Sequence, residues 1–149
     1  MTSSDIISRY LAALKANLGG NLGSLNYPPP VFAAMKGEML DFDLEQGTLT
    51  NRFPVLQEYL NPYNSLQGGI ISTLLDDTIG PLSLLVAPAN FTRNLEVKFR
   101  KTVTPDLGFV IVTAKFTGRD GRQLFFEAEM KSNDGIIRAQ AKAMHWIIG

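Results

Sequence analysis

From Phe91 onward the sequence alternates apolar with polar residues, and tight turns cut the alternation into strand-length pieces. Leu95, Val97 and Phe99 alternate with polar neighbours, and Pro105-Asp106-Leu107-Gly108 reads as a turn. Phe109 to Thr117 is largely apolar and β-branched. Asp120-Gly121 is a two-residue hairpin signal, because a type I′ turn needs positive φ at both central positions. Leu124 to Ser132 alternates again and Asp134-Gly135 marks another hairpin. The last strand, Ile136 to Ile148, places Ile137, Ala139, Ala141 and Ala143 on one face, small enough for a helix to lie close. These pieces predict a four-strand antiparallel meander.

Upstream, Gly68 to about Ala87 has helical spacing. Met35 to Asp43 and Thr48 to Val55 read as short strands joined at Gln46-Gly47. Ser4 to Leu18 is an amphipathic helix with Ser4 as cap, a stripe of Ile6, Ile7, Tyr10, Leu11 and Leu14, and Gly19-Gly20 as its stop. A loop with Gly23 and Pro28 to Pro30 follows, which predicts neither helix nor central strand but a stiff connector. The expectation is one α+β domain over 1–149, with 1–34 as N-terminal helix and Pro-rich connector.

Composition removes several kinds of chemistry. Lys plus Arg and Asp plus Glu are 14 each, so the basic field of a nucleic-acid binder is missing. With no cysteine there is no disulfide, thiolate nucleophile or Cys-based metal site. One histidine, His145, rules out a His-rich metal centre, and no G-x-S-x-G elbow accompanies it. No metal and no cofactor are expected. No uninterrupted apolar run reaches the roughly 18 residues of a membrane span, and the start Met-Thr-Ser-Ser-Asp lacks the basic region of a signal peptide. A soluble cytoplasmic protein is therefore expected, and the sequon Asn90-Phe91-Thr92 reads as chance.

On a helical wheel, Gly69, Ser72, Thr73, Gly80, Ser83 and Ala87 cluster around Asp76. Ile71, Leu74, Leu75, Thr78, Leu82 and Leu85 form the sheet-facing stripe, and Asp77 lies nearer Ile70, Thr73, Leu74, Pro81 and Leu84. A carboxylate in a small-residue stripe fits two readings: a close helix–helix contact with a solvated Asp, or a cleft beside a catalytic base. Gln67-Gly68-Gly69 open the helix where free N–H groups and the positive dipole end converge, a place suited to a developing oxyanion. Pro81 either bends the helix or ends it near Gly80.

Asn61, Asn64, Gln67-Gly68-Gly69, Asp76 and then Thr92-x-x-Leu95-x-Val97-x-Phe99 together resemble the hotdog-fold thioesterases of the phenylacetate-degradation (PaaI-like) type. That family's pattern is Asn-x-x-Gly-x-x-His-Gly-Gly with an Asp nine residues after the His, then Ser/Thr-x-x-Leu-x-Val-x-Phe. The resemblance runs from about Met35 to the C-terminus. It implies the hotdog fold, an antiparallel sheet wrapped around a long central helix, and acyl-CoA hydrolysis by a homodimer or homotetramer with its site at the subunit boundary. It implies Asp76 as base or nucleophile, the Gly68 N–H as oxyanion donor and Asn61, from the other subunit, as a holder of water or substrate. Gln67, Gly69, Thr92 and Arg100 are then candidate substrate-binding residues. Two positions depart from the pattern. Asn64 replaces Gly, which Asn can imitate at positive φ. Gln67 replaces His and cannot titrate near neutrality. A non-catalytic acyl-CoA or small-ligand binding protein is the alternative that Gln67 motivates, and a hydratase ranks below both.

Strand alternation places Thr92 with Asn94, Glu96, Lys98 and Arg100, away from Leu95 and Val97. Arg93, Lys98, Arg100 and Lys101 form a basic run, read as a solvated face or as a site for coenzyme A phosphates. His145 shares a face with Ala141 and Ala143 and reads as a packed or edge histidine. Phe53, Tyr59 and Tyr63 either line an acyl pocket or pack, and Glu127 and Glu129 point outward.

Overall fold

A computed structural model describes residues 2–19 and 26–149. Gly20 and Gly23, expected as helix stop and loop, lie outside them. Helix α1 (Ser3–Leu18) begins one residue earlier than expected. Its cap is Thr2, not Ser4: Thr2 and Asp5 form a reciprocal capping box, which offers two hydrogen bonds where Ser4 offers one. Ile6, Tyr10, Leu14 and Leu18 are its buried stripe, whereas Leu11 is exposed. The proline run does contain a helix start: Pro30 opens the short α2 (Pro30–Ala34), at the position where a missing N–H costs nothing.

The strands are β1 (Glu38–Asp43), β2 (Thr48–Pro54), β3 (Asn90–Phe99), β4 (Phe109–Asp120), β5 (Gln123–Ser132) and β6 (Ile137–Ile147). Helix α3 (Gly68–Val86) separates β2 from β3. All pairings are antiparallel, in the order β1-β2-β4-β5-β6-β3. The expected four-strand meander is thus a three-strand one, β4-β5-β6. Strand β3 skips β4 and pairs with β6, because the turn at 100–108 carries the chain across to β2. Both hairpin glycines adopt the expected positive φ, 62° at Gly121 and 82° at Gly135.

The sheet wraps α3. Val110, Val112 and Ala114 of β4, Leu124, Phe126 and Ala128 of β5, and Ala139, Ala141 and Ala143 of β6 face it and are buried. Leu74, Leu75, Ile79 and Leu82 return the contact from the helix, each burial contributing about 1.5–3 kcal/mol. By length and composition α3 could cross a bilayer, contrary to the count of apolar runs. Half-buried in its own sheet and carrying two carboxylates, it is the core helix of the fold.

Pro81 neither ends α3 nor leaves it unsupported. A proline has no N–H, so the Asp77 carbonyl four residues back loses its helical partner. The fully buried Asn51 of β2 turns its Nδ2 toward that oxygen at 3.4 Å, and toward Thr78 Oγ1 at 3.1 Å. On the outer side, α1 packs across α3, and Tyr10 Oη donates to the Pro81 carbonyl at 2.9 Å.

Candidate active site

Asp76 lies mid-helix on α3, and Thr92 Oγ1 donates to its Oδ1 at 2.9 Å. Plain alternation would have pointed Thr92 away. The register of β3 on β6 runs Thr92 opposite His145, then Asn94 opposite Met144, so Arg93 is the extra residue of a β-bulge. The bulge turns Thr92 to the helix side, with Leu95 and Val97. It sends Arg93 outward over the Trp146 ring at 4.5 Å.

Behind Thr92 sits His145, only 1% exposed. Its Nε2 lies 3.3 Å from Thr92 Oγ1 and its Nδ1 lies 2.8 Å from Asn90 Oδ1. Asn90 Nδ2 donates to the carbonyls of Pro88 at 2.8 Å and Ser83 at 3.3 Å, so Oδ1 is the atom left for the ring. Oδ1 can only accept, which assigns the proton to His145 Nδ1. Burial lowers the His145 pKa, with the Asp76 charge opposing. His145 is therefore packed, as its strand face implied, and its polar partners are a feature that periodicity could not reveal.

Asp76 borders a cavity of about 410 Å³. Its polar lining includes Asp77, Ser83, Asn90, Thr92 and His145, and its apolar lining includes Tyr10 and Leu14 of α1, Tyr27, Val31, Leu84 and Phe91. Burial, and secondarily the Asp76 charge, push the Asp77 pKa up to about 7. Asp77 Oδ2 and Tyr27 Oη are buried without a partner among the described residues. Burial pushes the Tyr27 hydroxyl up to about 12. Phe53 and Tyr59 pack into the core instead, and Tyr63 is exposed.

The start of α3 is the second part. Gln67 is an exposed, extended N-cap whose side chain makes no capping bond. Its carbonyl accepts from Ile70 and Ile71, so the amides of Gly68 and Gly69 have no acceptor within the helix. A Cβ on Gly68 would sit 3.3 Å from the exposed Phe99 ring, which flanks that amide. A Cβ on Gly69 would meet nothing within 4 Å. Asn61 Oδ1 accepts from Tyr63 N, Ser65 N and Ser65 Oγ, tying the turn before the helix. Asn64 takes the left-handed conformation expected of it, φ 60°.

Arg100 is not brought to the cavity of Asp76. Its Nε donates to Gln140 at 2.8 Å, and it lines a shallow cleft on the sheet face opposite α3, with Lys98, Glu127 and Glu129. Among the described residues no cluster could hold a metal ion.

No protein-family model and no curated protein sequence matches the chain. Solved structures do match. A phenylacetic acid degradation-related protein of Ralstonia eutropha, described as a candidate thioesterase, has a TM-score of 0.77 at 23% identity, covering 95% of this chain and 99% of that one. The E. coli PaaI protein of the phenylacetic acid degradation operon has a TM-score of 0.79 at 15% identity, covering 94% and 96%. A Streptococcus mutans protein bound to acetyl-CoA has a TM-score of 0.69 at 19% identity, covering 74% and 87%. The chain shares the fold of these proteins, an antiparallel hotdog sheet around a central helix, as the resemblance to PaaI-like proteins implied.

Proposed function

We propose that this protein hydrolyses acyl-CoA thioesters as a homodimer, with Asp76 of one copy acting on a carbonyl held by the partner's Gly68. The observation that carries the reading is the pairing of a Thr92-anchored carboxylate on a cavity with an open helix start on the same element. Eight residues of helix separate them, about 12 Å at 1.5 Å per residue. One copy therefore cannot bring both to a single carbonyl. Two α3 helices laid antiparallel about a two-fold axis at Ser72 would place position 68 opposite position 76.

Other features of the single chain support a second copy. Gly69, Ser72 and Thr73 keep the face around the expected axis small, and a Cβ on Gly69 would meet nothing within 4 Å. Close approach of a second helix accounts for the small stripe. Strand β3, paired with β6 on one side, leaves its other edge open among the described residues, with Phe91 and Phe99 exposed, a template for pairing with its own copy.

In the reaction the Gly68 amide stabilises charge developing on the thioester oxygen. Thr92 fixes Oδ1 of Asp76, leaving Oδ2 for the water or for direct attack. The cavity beside Asp76 takes the acyl group, and coenzyme A leaves as the thiol. Acetyl-CoA in the Streptococcus mutans structure supports this ligand class. The test is thiol release over short, medium, long and aromatic acyl-CoAs. Asp76→Ala should lower kcat by about 10²–10⁴ with the fold intact, and near-wild-type turnover would remove the assignment. Gln67 in place of a titratable residue favours the second reading, an acyl-CoA binding protein, which calorimetric binding without thiol release would establish.

A further inference from the structure

We propose that His145, which the reaction as so far described does not use, serves Asp76 through Thr92 as the place where the reaction's proton is held. This rests on the hydrolytic reading of Asp76. Three contacts in series carry it: Asp76 Oδ1 to Thr92 Oγ1 at 2.9 Å, Thr92 Oγ1 to His145 Nε2 at 3.3 Å, and His145 Nδ1 to Asn90 Oδ1 at 2.8 Å.

The chain has a direction. Asn90 fixes the proton on Nδ1, so Nε2 presents a lone pair to Thr92. Thr92 has one hydroxyl proton and two acceptors. While Asp76 is a carboxylate, the shorter contact and the negative acceptor draw that proton to Oδ1. Water attacking the thioester carbon gives one proton to Asp76 as the C–O bond forms. The proton arrives on Oδ2; half a turn of the carboxyl about Cβ–Cγ brings that O–H to Thr92 Oγ1, and the Thr92 hydroxyl swings its own proton to Nε2. Transfer along both bonds regenerates the carboxylate and leaves an imidazolium held between Thr92 and Asn90. When the C–S bond breaks, the proton returns by the same path to the thiolate sulfur. Water, thioester, acid and thiol balance without any other reactant.

Burial works against a charge on His145, and the Asp76 carboxylate offsets part of that penalty. The titratable groups sharing its cavity are Asp76 and Asp77 of α3, Tyr10 of α1 and Tyr27 of the connector; no lysine or arginine is among the cavity's described residues. From β5, Leu124 pairs with it and the Phe126 ring lies at 4.9 Å. The nearby formal charge is thus negative, on the side from which the proton comes.

The chain has one histidine, so its ring nitrogens can be followed by ¹⁵N NMR without assignment. In the wild-type protein the ring should be the Nδ1–H tautomer, and both Asp76→Asn and Thr92→Val should lower its titration midpoint. A midpoint unmoved in both variants overturns the coupling, whether or not the wild type hydrolyses thioesters. In turnover, His145→Gln keeps a hydrogen-bonding side chain without a basic nitrogen. It should cut kcat roughly 10–100-fold, leave KM within about twofold, and alter the acidic side of kcat against pH. Thr92→Val should produce a loss of the same size, and the double variant should be no slower than either single one. Wild-type kcat and an unchanged pH profile in His145→Gln would end the proposal. Absence of thiol release from the wild type would instead end the hydrolytic reading, with the NMR midpoints still deciding the coupling.

Discussion

Asn51 Nδ2 reaches from the sheet to within 3.4 Å of the Asp77 carbonyl oxygen, the oxygen that Pro81 deprives of its helical amide. A fully buried Asn facing the core is costly unless bonded; the gap above Pro81 occupies its Nδ2, while its Oδ1 is left without a partner among the described residues. The helix stays continuous through Asp76 and Asp77 because a strand supplies what the proline removes.

Asn51→Ala is expected to destabilise the protein by about 1–3 kcal/mol, by leaving a buried carbonyl unpaired and a space behind it. In a Pro81→Ala background the helix amide returns, and the same substitution should cost at least about 0.5 kcal/mol less. Urea unfolding of the four proteins of this cycle measures the difference; equal costs in both backgrounds would refute the link.

Asp77 makes stability fall with rising pH. Its folded pKa, pushed up to about 7, lies above the unfolded value of 3.8. Between the two the unfolded chain has released a proton that the folded chain still holds, so the free energy of unfolding drops across that window and levels above it. Asp77→Asn should remove this slope. With the shift discounted for partial exposure, the variant should be about 1–2 kcal/mol more stable than wild type at pH 8 and show no such gain near pH 4. Thermal melts at the two pH values decide it.

Ser72→Lys should separate two copies. It would set two ammonium groups against each other at the expected axis of the α3 pair. Sedimentation should show a dimer for the wild type and the 16.4 kDa single chain for the variant, with turnover lost in parallel. A variant that stays dimeric, or a monomeric wild type, contradicts the shared site.

Gly37 lies beneath two rings. A Cβ there would come within 2.5 Å of the Phe32 ring and 2.8 Å of the Phe53 ring, both buried. Gly37→Ala should cost about 1–3 kcal/mol through overpacking. That is a drop of about 3–10 °C in Tm for a chain of this size, measured by calorimetry, and an unchanged Tm would show that the rings yield freely.

Periodicity made the inward faces legible. Ala139, Ala141 and Ala143 pack where alternation placed them, and the apolar stripe of α3 lies on the sheet. Asp76 and the opening at Gly68 also stood out, because small residues and free amides follow from spacing alone. Three things did not. The pairing of β3 with β6 depends on where a turn carries the chain, which local pattern does not encode. Thr92 was placed on the wrong face, since one bulged residue reverses the parity of everything before it. The hydrogen bonds of His145 were hidden because their acceptor and donor lie more than fifty residues upstream.

The detour of β3 has a kinetic side. Thr92 meets His145 across 53 positions of chain, and between them three hairpin-linked strands must already stand in register. Contacts so distant along the chain are slow to close, because the entropy of the intervening loop is lost before any bond compensates it. The hydrogen-bonded surroundings of Asp76 are therefore among the last features to mature, and until β6 arrives β3 presents two bare edges to its neighbours in the cell.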